Sequence, residues 1–386
     1  MPPVRLLIKP ASSNCNLRCQ YCFYHSIAAN RQVDSYGMMN EDTLEVVVKN
    51  ALEYAEHVCS IAFQGGEPTL AGIDFYRKLI EFEKKYNVKN VQVNNAIQTN
   101  GLVINAEWAE FLSENNFLAG LSLDGPKDIH DLYRVGRNGK GSFLRVMETV
   151  NLFNKYNVEY NILTVVTARA ARHINKIYNF FKKQDFRYLQ LIPCLDPLKE
   201  KPGGHEYSLT PDKYAYFLKT LFDQWYADVI KGDVISIRYF DNIVGIAMGY
   251  RPEACGMSGI CSCQFVVEAN GGVYPCDFYV VDEWYLGNLK YSSLEDIGNS
   301  EPAMRFIEAS KYVDPKCREC KWFSLCRGGC RRDREPFADG EPFVHGEPFD
   351  GSMLLLNRYC PAYMEFFEYA GDRIFELARM FFSSVN

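Results

Sequence analysis

Six times between residue 4 and about residue 230, a short run of β-branched and aliphatic residues is followed by a longer amphipathic stretch, and this alternation admits few folds. The strand-length runs are Val4 to Lys9, Ser60 to Gln64, Val91 to Gln98, Ala119 to Leu123, Tyr160 to Val166 and Tyr188 to Ile192. Helical periodicity fits 41–56, 73–86, 106–115, 142–156, 173–184 and 211–230, with Asn40 and either Ser208 or Thr210 placed to cap. Strand and helix in turn imply parallel strands joined by helical crossovers. Six such units followed by a change of pattern predict an α/β fold, a partial (β/α)6 TIM-like barrel, with its site at the C-terminal ends of the strands. After Arg238 come short strands (Phe265 to Glu268, Val273 to Tyr274), frequent glycine and most of the remaining cysteines. A boundary is therefore expected near residue 235, with the barrel in 1–235 and a cysteine-rich domain ending in a helix in 236–386.

The charge balance, 42 basic against 48 acidic residues for a net −6, leaves no nucleic-acid footprint. Met1 to Cys15 lacks the apolar core of a secretory signal, and no later stretch approaches the roughly 18 apolar residues of a membrane span. A soluble cytoplasmic protein is expected. Thiols there stay reduced, so fourteen cysteines point to metal or redox chemistry rather than to disulfides. One segment, Glu-Pro-Phe-x-x-Gly at 335–340 and 341–346 and shortened at 347–351, has a Pro and a Gly in each unit and is expected to be an exposed loop.

The first chemical motif is Cys15-Asn-Leu-Arg-Cys19-Gln-Tyr-Cys22, a CxxxCxxC directly after the first strand. Three thiolates can hold three irons of a four-iron cluster and leave the fourth iron open. The alternative is a structural zinc site, which needs a fourth ligand that His25 alone is near enough to supply. The second motif, Gly65-Gly66-Glu67-Pro68, ends the second strand, where backbone without side chains lets a ligand approach closely. Together the two motifs resemble the paired signatures of the radical S-adenosylmethionine superfamily. The resemblance implies that S-adenosylmethionine chelates the open iron and is cleaved by one electron to a 5′-deoxyadenosyl radical. It also implies that Tyr21, Gly66, Ser122, Arg134 and Leu195 line the cofactor site. Without the family, Ser122 and Leu195 read as strand-end packing and Arg134 as a solvated charge.

The second half carries Cys261, nine residues, Gly271, four residues, Cys276, then Cys317-x2-Cys320-x5-Cys326-x3-Cys330, and later Cys360. This resembles the SPASM extension of peptide-modifying radical enzymes, which holds two auxiliary four-iron clusters. The family pattern assigns Cys255, Cys261, Cys276 and Cys330 to the first, and Cys317, Cys320, Cys326 and Cys360 to the second. Cys263 competes with Cys261 but lies too near Gly271. With Cys59 and Cys194 it is expected to be a spare, buried thiol.

Longer strings, among them Leu7-Ile-Lys-Pro-Ala-Ser-Ser13, Ala62-Phe-Gln-Gly-Gly-Glu-Pro-Thr-Leu-Ala-Gly72, Arg238-Tyr-Phe-Asp241, Gln264-Phe-Val-Val-Glu268 and Val273-Tyr-Pro-Cys-Asp-Phe-Tyr279, resemble the anaerobic sulfatase-maturating enzymes. That family oxidises a Cys or Ser, within a Cys/Ser-x-Pro-x-Arg segment of an unfolded sulfatase, to Cα-formylglycine, drawing electrons from a small donor of flavodoxin or ferredoxin type. The repeat before Cys360 is the main departure, since it lengthens the last cysteine interval. Family position makes Asp277 the base that takes the substrate's proton, although the residue also reads as a turn aspartate after Pro275. Tyr24 and Gln64, beside the two motifs, are candidate substrate-pocket residues. A different SPASM peptide modifier, such as a thioether-forming maturase, is the alternative function, but it would usually carry a peptide-recognition domain before its cluster motif, and fourteen residues precede Cys15 here. Three four-iron clusters predict about twelve irons per anaerobically reconstituted chain. An iron assay near four would refute the auxiliary assignment.

Overall fold

The computed structural model describes residues 3–335 and 356–385, and the six expected strand–helix units all form. The strands are β1 (Val4–Lys9), β2 (Val58–Phe63), β3 (Gln92–Thr99), β4 (Leu118–Ser122), β5 (Tyr160–Val166) and β6 (Tyr188–Pro193). Between them run helices Glu41–Tyr54, Ile73–Tyr86, Ala106–Glu114, Phe143–Tyr156 and Ile174–Lys183, and Pro211–Ile230 follows β6. Local chemistry sets the helix starts. Asn40 accepts a hydrogen bond from the Thr43 amide, with Glu41 and Asp42 in the first turn opposing the helix dipole, and Asn105 caps Trp108 in the same way. Thr210 stands at the start of Pro211–Ile230 without a side-chain cap bond; Pro in the first turn already fixes the backbone there. The periodicity did not reveal the helices Phe23–Ala29 and Arg238–Ala247 or the two-residue strand β7 (Ser236–Ile237).

The chain forms two compact units. The first is built from residues up to 123, 130–161 and 263–306, the second from 124–129, 162–262 and 307 onward. In the first, β8 (Val266–Glu268) pairs in parallel with β1, and β1, β2, β3 and β4 follow in parallel order. β9 (Gly272–Tyr274) and β10 (Gly287–Asn288) add antiparallel ladders on the far side of β8. A strand from beyond residue 235 therefore lies directly beside the first strand of the chain, with Lys9 opposite Glu268. The core is Leu6, Ile8, Ile61, Phe63, Ile97 and Leu121 under the apolar faces of the crossover helices. Phe63, Phe75, Tyr76, Trp108 and Phe117 interlock edge to face.

In the second unit β5, β6 and β7 pair in parallel. Helix Pro211–Ile230 packs through Phe222 and Trp225 against Phe240 and against Phe366 of the C-terminal helix Cys360–Val385. Among the described residues no helix is long and apolar enough to cross a membrane. The expected exposed loop lies mostly outside the described residues. Its first member, Glu335, is not exposed: it is buried and ion-paired to buried Arg331 at 3.0 Å, because a charge at that depth needs a partner.

Phe63 is fully buried and its ring centroid lies 5.0 Å from that of Tyr76. Phe63→Ala is expected to destabilise the first unit by about 3–5 kcal/mol. A thermal melt of the anaerobically prepared protein checks this, and an unchanged midpoint would contradict it.

Candidate active site

The segment after β1 carries Cys15, Cys19 and Cys22, all half-buried. Backbone bonds shape it: the Cys22 amide donates to the Cys19 carbonyl, and the Leu17 amide approaches Cys15 Sγ at 3.4 Å. A second segment fastens it from outside, with the Arg18 amide bonded to the Val135 carbonyl at 2.8 Å and the Gln20 amide to that of Tyr133 at 3.1 Å. Burial, with the charges of Glu67 and Cys22, pushes the Cys15 thiol up to about 11, and burial raises Cys22. Thiols this reluctant to ionise, and close enough to repel one another, suit a cationic metal centre that would make thiolates of them.

Gly65 and Gly66 both have positive φ, 95° and 54°. A Cβ on Gly66 would stand 2.2 Å from the Asn14 carbonyl oxygen, and one on Gly65 would stand 2.5 Å from Lys9 Cε, so the turn closes against the cysteine segment only as glycine. Glu67, which follows, is buried and accepts from the Thr69 amide at 3.1 Å, Thr69 Oγ1 at 2.6 Å, Thr99 Oγ1 at 2.7 Å and the Asn100 amide at 2.7 Å. It locks the turn to the end of β3. Asn100 in turn bonds Asn16 at 2.7 Å, inside the cysteine motif. Neither Asn14 nor Asn100 carries a recognisable spacing, which is why sequence reasoning missed them.

Of the expected cofactor residues, the structure brings Tyr21 and Arg134 together: both are buried, and the guanidinium lies 5.5 Å from the ring centroid. Arg134 is thus no solvated surface charge. Ser122 ends β4, buried, and accepts from Gln98 at 3.1 Å. Leu195 belongs to the second unit, two residues past β6, and is half-buried.

Asp277, Tyr24 and Gln64 converge. Tyr24 Oη donates to Asp277 Oδ2 at 2.5 Å, and Gln64 Nε2 donates to Tyr24 Oη at 2.7 Å and to the same carboxylate oxygen at 3.2 Å. The second oxygen, Oδ1, is buried and has no hydrogen-bond partner among the described residues. Burial raises the Asp277 carboxyl, opposed by the charge of Lys9 and the bond from Tyr24. Burial, then the Asp277 charge, drives Tyr24 well above its usual range, so the shared proton sits on the tyrosine. Below them Lys9 points its ammonium at the Tyr24 ring, 4.7 Å from the centroid, and pairs with Glu268 at 3.4 Å; Arg31 holds Glu268 at 2.6 Å. Burial raises Glu268, but the two cations outweigh it and hold the carboxyl below its ordinary value.

The other cysteines fall into sets. In the second unit, Cys261 and Cys255 both raise the thiol of Cys330, after burial and Asp333, and the Cys261 amide is fixed by Ser310 Oγ at 2.8 Å. Cys276 belongs to the first unit. Burial first, then the charges of Cys360, Cys317 and Cys320, push the Cys326 thiol up to about 12. Between Cys326 and Cys330 the chain turns through Arg327, Gly328 and Gly329, all at positive φ. Cys59 and Cys194 are buried in or beside strands, while Cys263 is half-buried in a loop.

Comparison with known proteins supplies the lineage. The radical SAM superfamily profile matches residues 10–181, and the profile described as an iron-sulfur cluster-binding domain, SPASM, matches 255–321. A cysteine-type anaerobic sulfatase-maturating enzyme of Clostridium perfringens is 52% identical over 98% of this chain and 99% of its own. The chain belongs to the anaerobic sulfatase-maturating enzyme family. A serine-type member from Bacteroides thetaiotaomicron is more distant, at 34% identity over 95% of this chain and 89% of its own. Among solved structures, native anSMEcpe with bound AdoMet and Cp18Cys peptide superposes with a TM-score of 0.91 at 50% identity, covering 98% of this chain and all of that one. A member of this family needs S-adenosylmethionine and a [4Fe-4S] cluster, with auxiliary clusters in the SPASM domain. The three thiols after β1, the glycine turn and the buried Tyr21–Arg134 pair, all in the first unit, are of a kind that fits a cluster and its cofactor.

Gly66→Ala is expected to abolish S-adenosylmethionine binding, because the added methyl meets the backbone of the cysteine segment and not a movable side chain. Equilibrium binding of the cofactor together with an iron assay checks this. Wild-type affinity at full iron would show that the turn tolerates a side chain.

Proposed function

We infer that the open carboxylate oxygen of Asp277 is where the substrate's proton goes in this enzyme's reaction. The chain is a radical S-adenosylmethionine oxidoreductase that converts a side chain of a sulfatase polypeptide to Cα-formylglycine. The higher identity to cysteine-type than to serine-type relatives supports a Cys substrate. Cys15, Cys19 and Cys22 would hold the first cluster, and Tyr21, Gly66, Ser122, Arg134 and Leu195 the cofactor. Cys255, Cys261, Cys276 and Cys330 would hold one auxiliary cluster, and Cys317, Cys320, Cys326 and Cys360 the other. Bound there, these groups supply the hydrogen-abstracting 5′-deoxyadenosyl radical and an acceptor for the second electron.

The chain's own residues do the rest. Once hydrogen has left Cβ of the substrate Cys, loss of a second electron must be matched by loss of the thiol proton, giving a thioaldehyde that water hydrolyses to formylglycine and hydrogen sulfide. Asp277 Oδ1 accepts that proton. Its other oxygen is already occupied by Tyr24 and Gln64, which fix the carboxylate and leave Oδ1 without a hydrogen-bond partner among the described residues. The buried, unpartnered Oδ1 is the observation that carries this reading. Residues 1–235 serve as the radical core and 236–386 as the auxiliary-cluster extension. The substrate is an unfolded sulfatase segment, the electron source a small flavodoxin or ferredoxin type carrier, and the setting the cytoplasm.

Asp277→Asn keeps the shape and removes the acceptor. The variant, at full iron, should still form 5′-deoxyadenosine while formylglycine falls by about 10²–10⁴-fold. Mass measurement of a Cys-containing sulfatase peptide gives the product. Formylglycine at near wild-type rate would remove Asp277 from the mechanism.

A further inference from the structure

The segment that carries the first three cysteines and the segment that fastens it share an unusual composition. No Asp or Glu occurs between Pro10 and Val33, nor between Leu132 and Met147, in a chain whose net charge is −6. Within these stretches stand Arg18, Arg31, Arg134, Arg137, Lys140 and Arg145. Three of these are already committed: Arg31 to Glu268, Arg134 to the Tyr21 ring and Arg145 to Glu148. The other three, Arg18, Arg137 and Lys140, are exposed, and none has a carboxylate within ion-pair distance among the described residues.

The fold brings these three cations to one place. Leu17 bridges Gly136, and Val135 bridges Gly141, so the hairpin 135–141 lies against residues 17–20. Arg18 stands between Leu17 and the ligand Cys19, and Arg137 Nη2 reaches the Cys15 carbonyl at 3.4 Å. Arg18 also lowers the basicity of His25, after burial, which places its charge beside the helix that follows Cys22. A positive surface of three unpaired cations therefore covers the outside of the cysteine segment.

We propose that Arg18, Arg137 and Lys140 form the docking surface for an acidic one-electron carrier protein that charges the first cluster. This rests on reading the chain as an enzyme whose cluster at Cys15, Cys19 and Cys22 is filled by a small donor. One electron leaves the reduced flavin or iron-sulfur centre of the carrier and enters that cluster, with no bond made or broken. Electron transfer falls off steeply with distance, so a donor must sit over the residues that hold its target. On a protein that is acidic overall, the net charge repels an acidic carrier, and the cationic patch steers it to the cysteine segment. The unpaired state of the three side chains fits a transient partner, because a rim charge raises the rate of encounter without being consumed in an internal pair.

The test compares the holoenzyme with an Arg18→Glu/Lys140→Glu variant, leaving Arg137 in place because it touches the Cys15 backbone. Binding of an oxidised, acidic flavodoxin is read by isothermal titration at low and physiological salt, without peptide, so it stands or falls separately from formylglycine formation. Wild-type binding should weaken with salt, and the variant should bind about tenfold more weakly with a flatter salt dependence. Formation of 5′-deoxyadenosine driven by reduced flavodoxin should fall in step, while that driven by reduced methyl viologen, which needs no docking, stays unchanged. Equal flavodoxin affinity in the two proteins overturns the proposal. So does a raised peptide KM with unchanged donor binding, which would assign the patch to the sulfatase chain. Should the reversal pair load iron poorly, Arg18→Gln/Lys140→Gln decides in the same assay: weakened donor binding at full iron supports the surface, and unchanged binding rejects it.

Discussion

Glu268 has no exposed surface, and two cations share its carboxylate. Taking such a charge out of water costs several kcal/mol unless partners compensate, and Lys9 and Arg31 compensate from two stretches of the chain that sequence alone would not join to it. Lys9 ends the strand that leads into the cysteine motif, Arg31 follows the helix after it, and Glu268 ends the strand that leads to Asp277. Breaking the group would leave an unpaired buried charge, so the register of β8 on β1 is fixed by electrostatics as well as by the ladder. The Tyr24–Gln64–Asp277 group hangs from this point: the Lys9 stem fills the space under Gly65, and its ammonium seats the Tyr24 ring.

Glu67 has a comparable role at the neighbouring strand. The motif that contains it reads as a cofactor signature, yet its side chain faces inward and takes four hydrogen bonds from β3 and the turn itself. The glycines are left as bare backbone facing the cysteine segment, and the acid holds them there. A carboxylate that accepts so many donors works as a structural acceptor, which explains why an acid follows the two glycines.

Much of this was legible in the sequence. The strand and helix periods placed six units to within two residues at nearly every boundary, because the strands run through a shared core and each helix buries one face. Cysteine spacing and the glycine motif marked the reactive centre, and Tyr24, Gln64 and Asp277 stood next to those marks. What could not be read was convergence: Tyr24 and Asp277 are 253 residues apart, and nothing in either neighbourhood announces the other. The Arg31–Glu268 pair was invisible for the same reason, and the tyrosine ring beneath Arg134, a residue that reads as a solvated charge without the family resemblance, could not be read either. The helix Phe23–Ala29 escaped because seven residues hold too few turns for a period to show.

The parallel pairing of β8 with β1 also sets the order in which the chain can mature. β2 follows β1 closely in the chain and can cover one of its edges early. The other edge waits for residues 266–268, which lie far downstream of both strands. Until then a row of unpaired amides and carbonyls borders the segment that carries Cys15, Cys19 and Cys22, an edge prone to intermolecular strand pairing. Long-range closure of this kind is intrinsically slow. Closure of the sheet beside the cysteine segment thereby comes late: the strand that leads into Cys15, Cys19 and Cys22 is flanked on both edges only after residues 266–268 have paired.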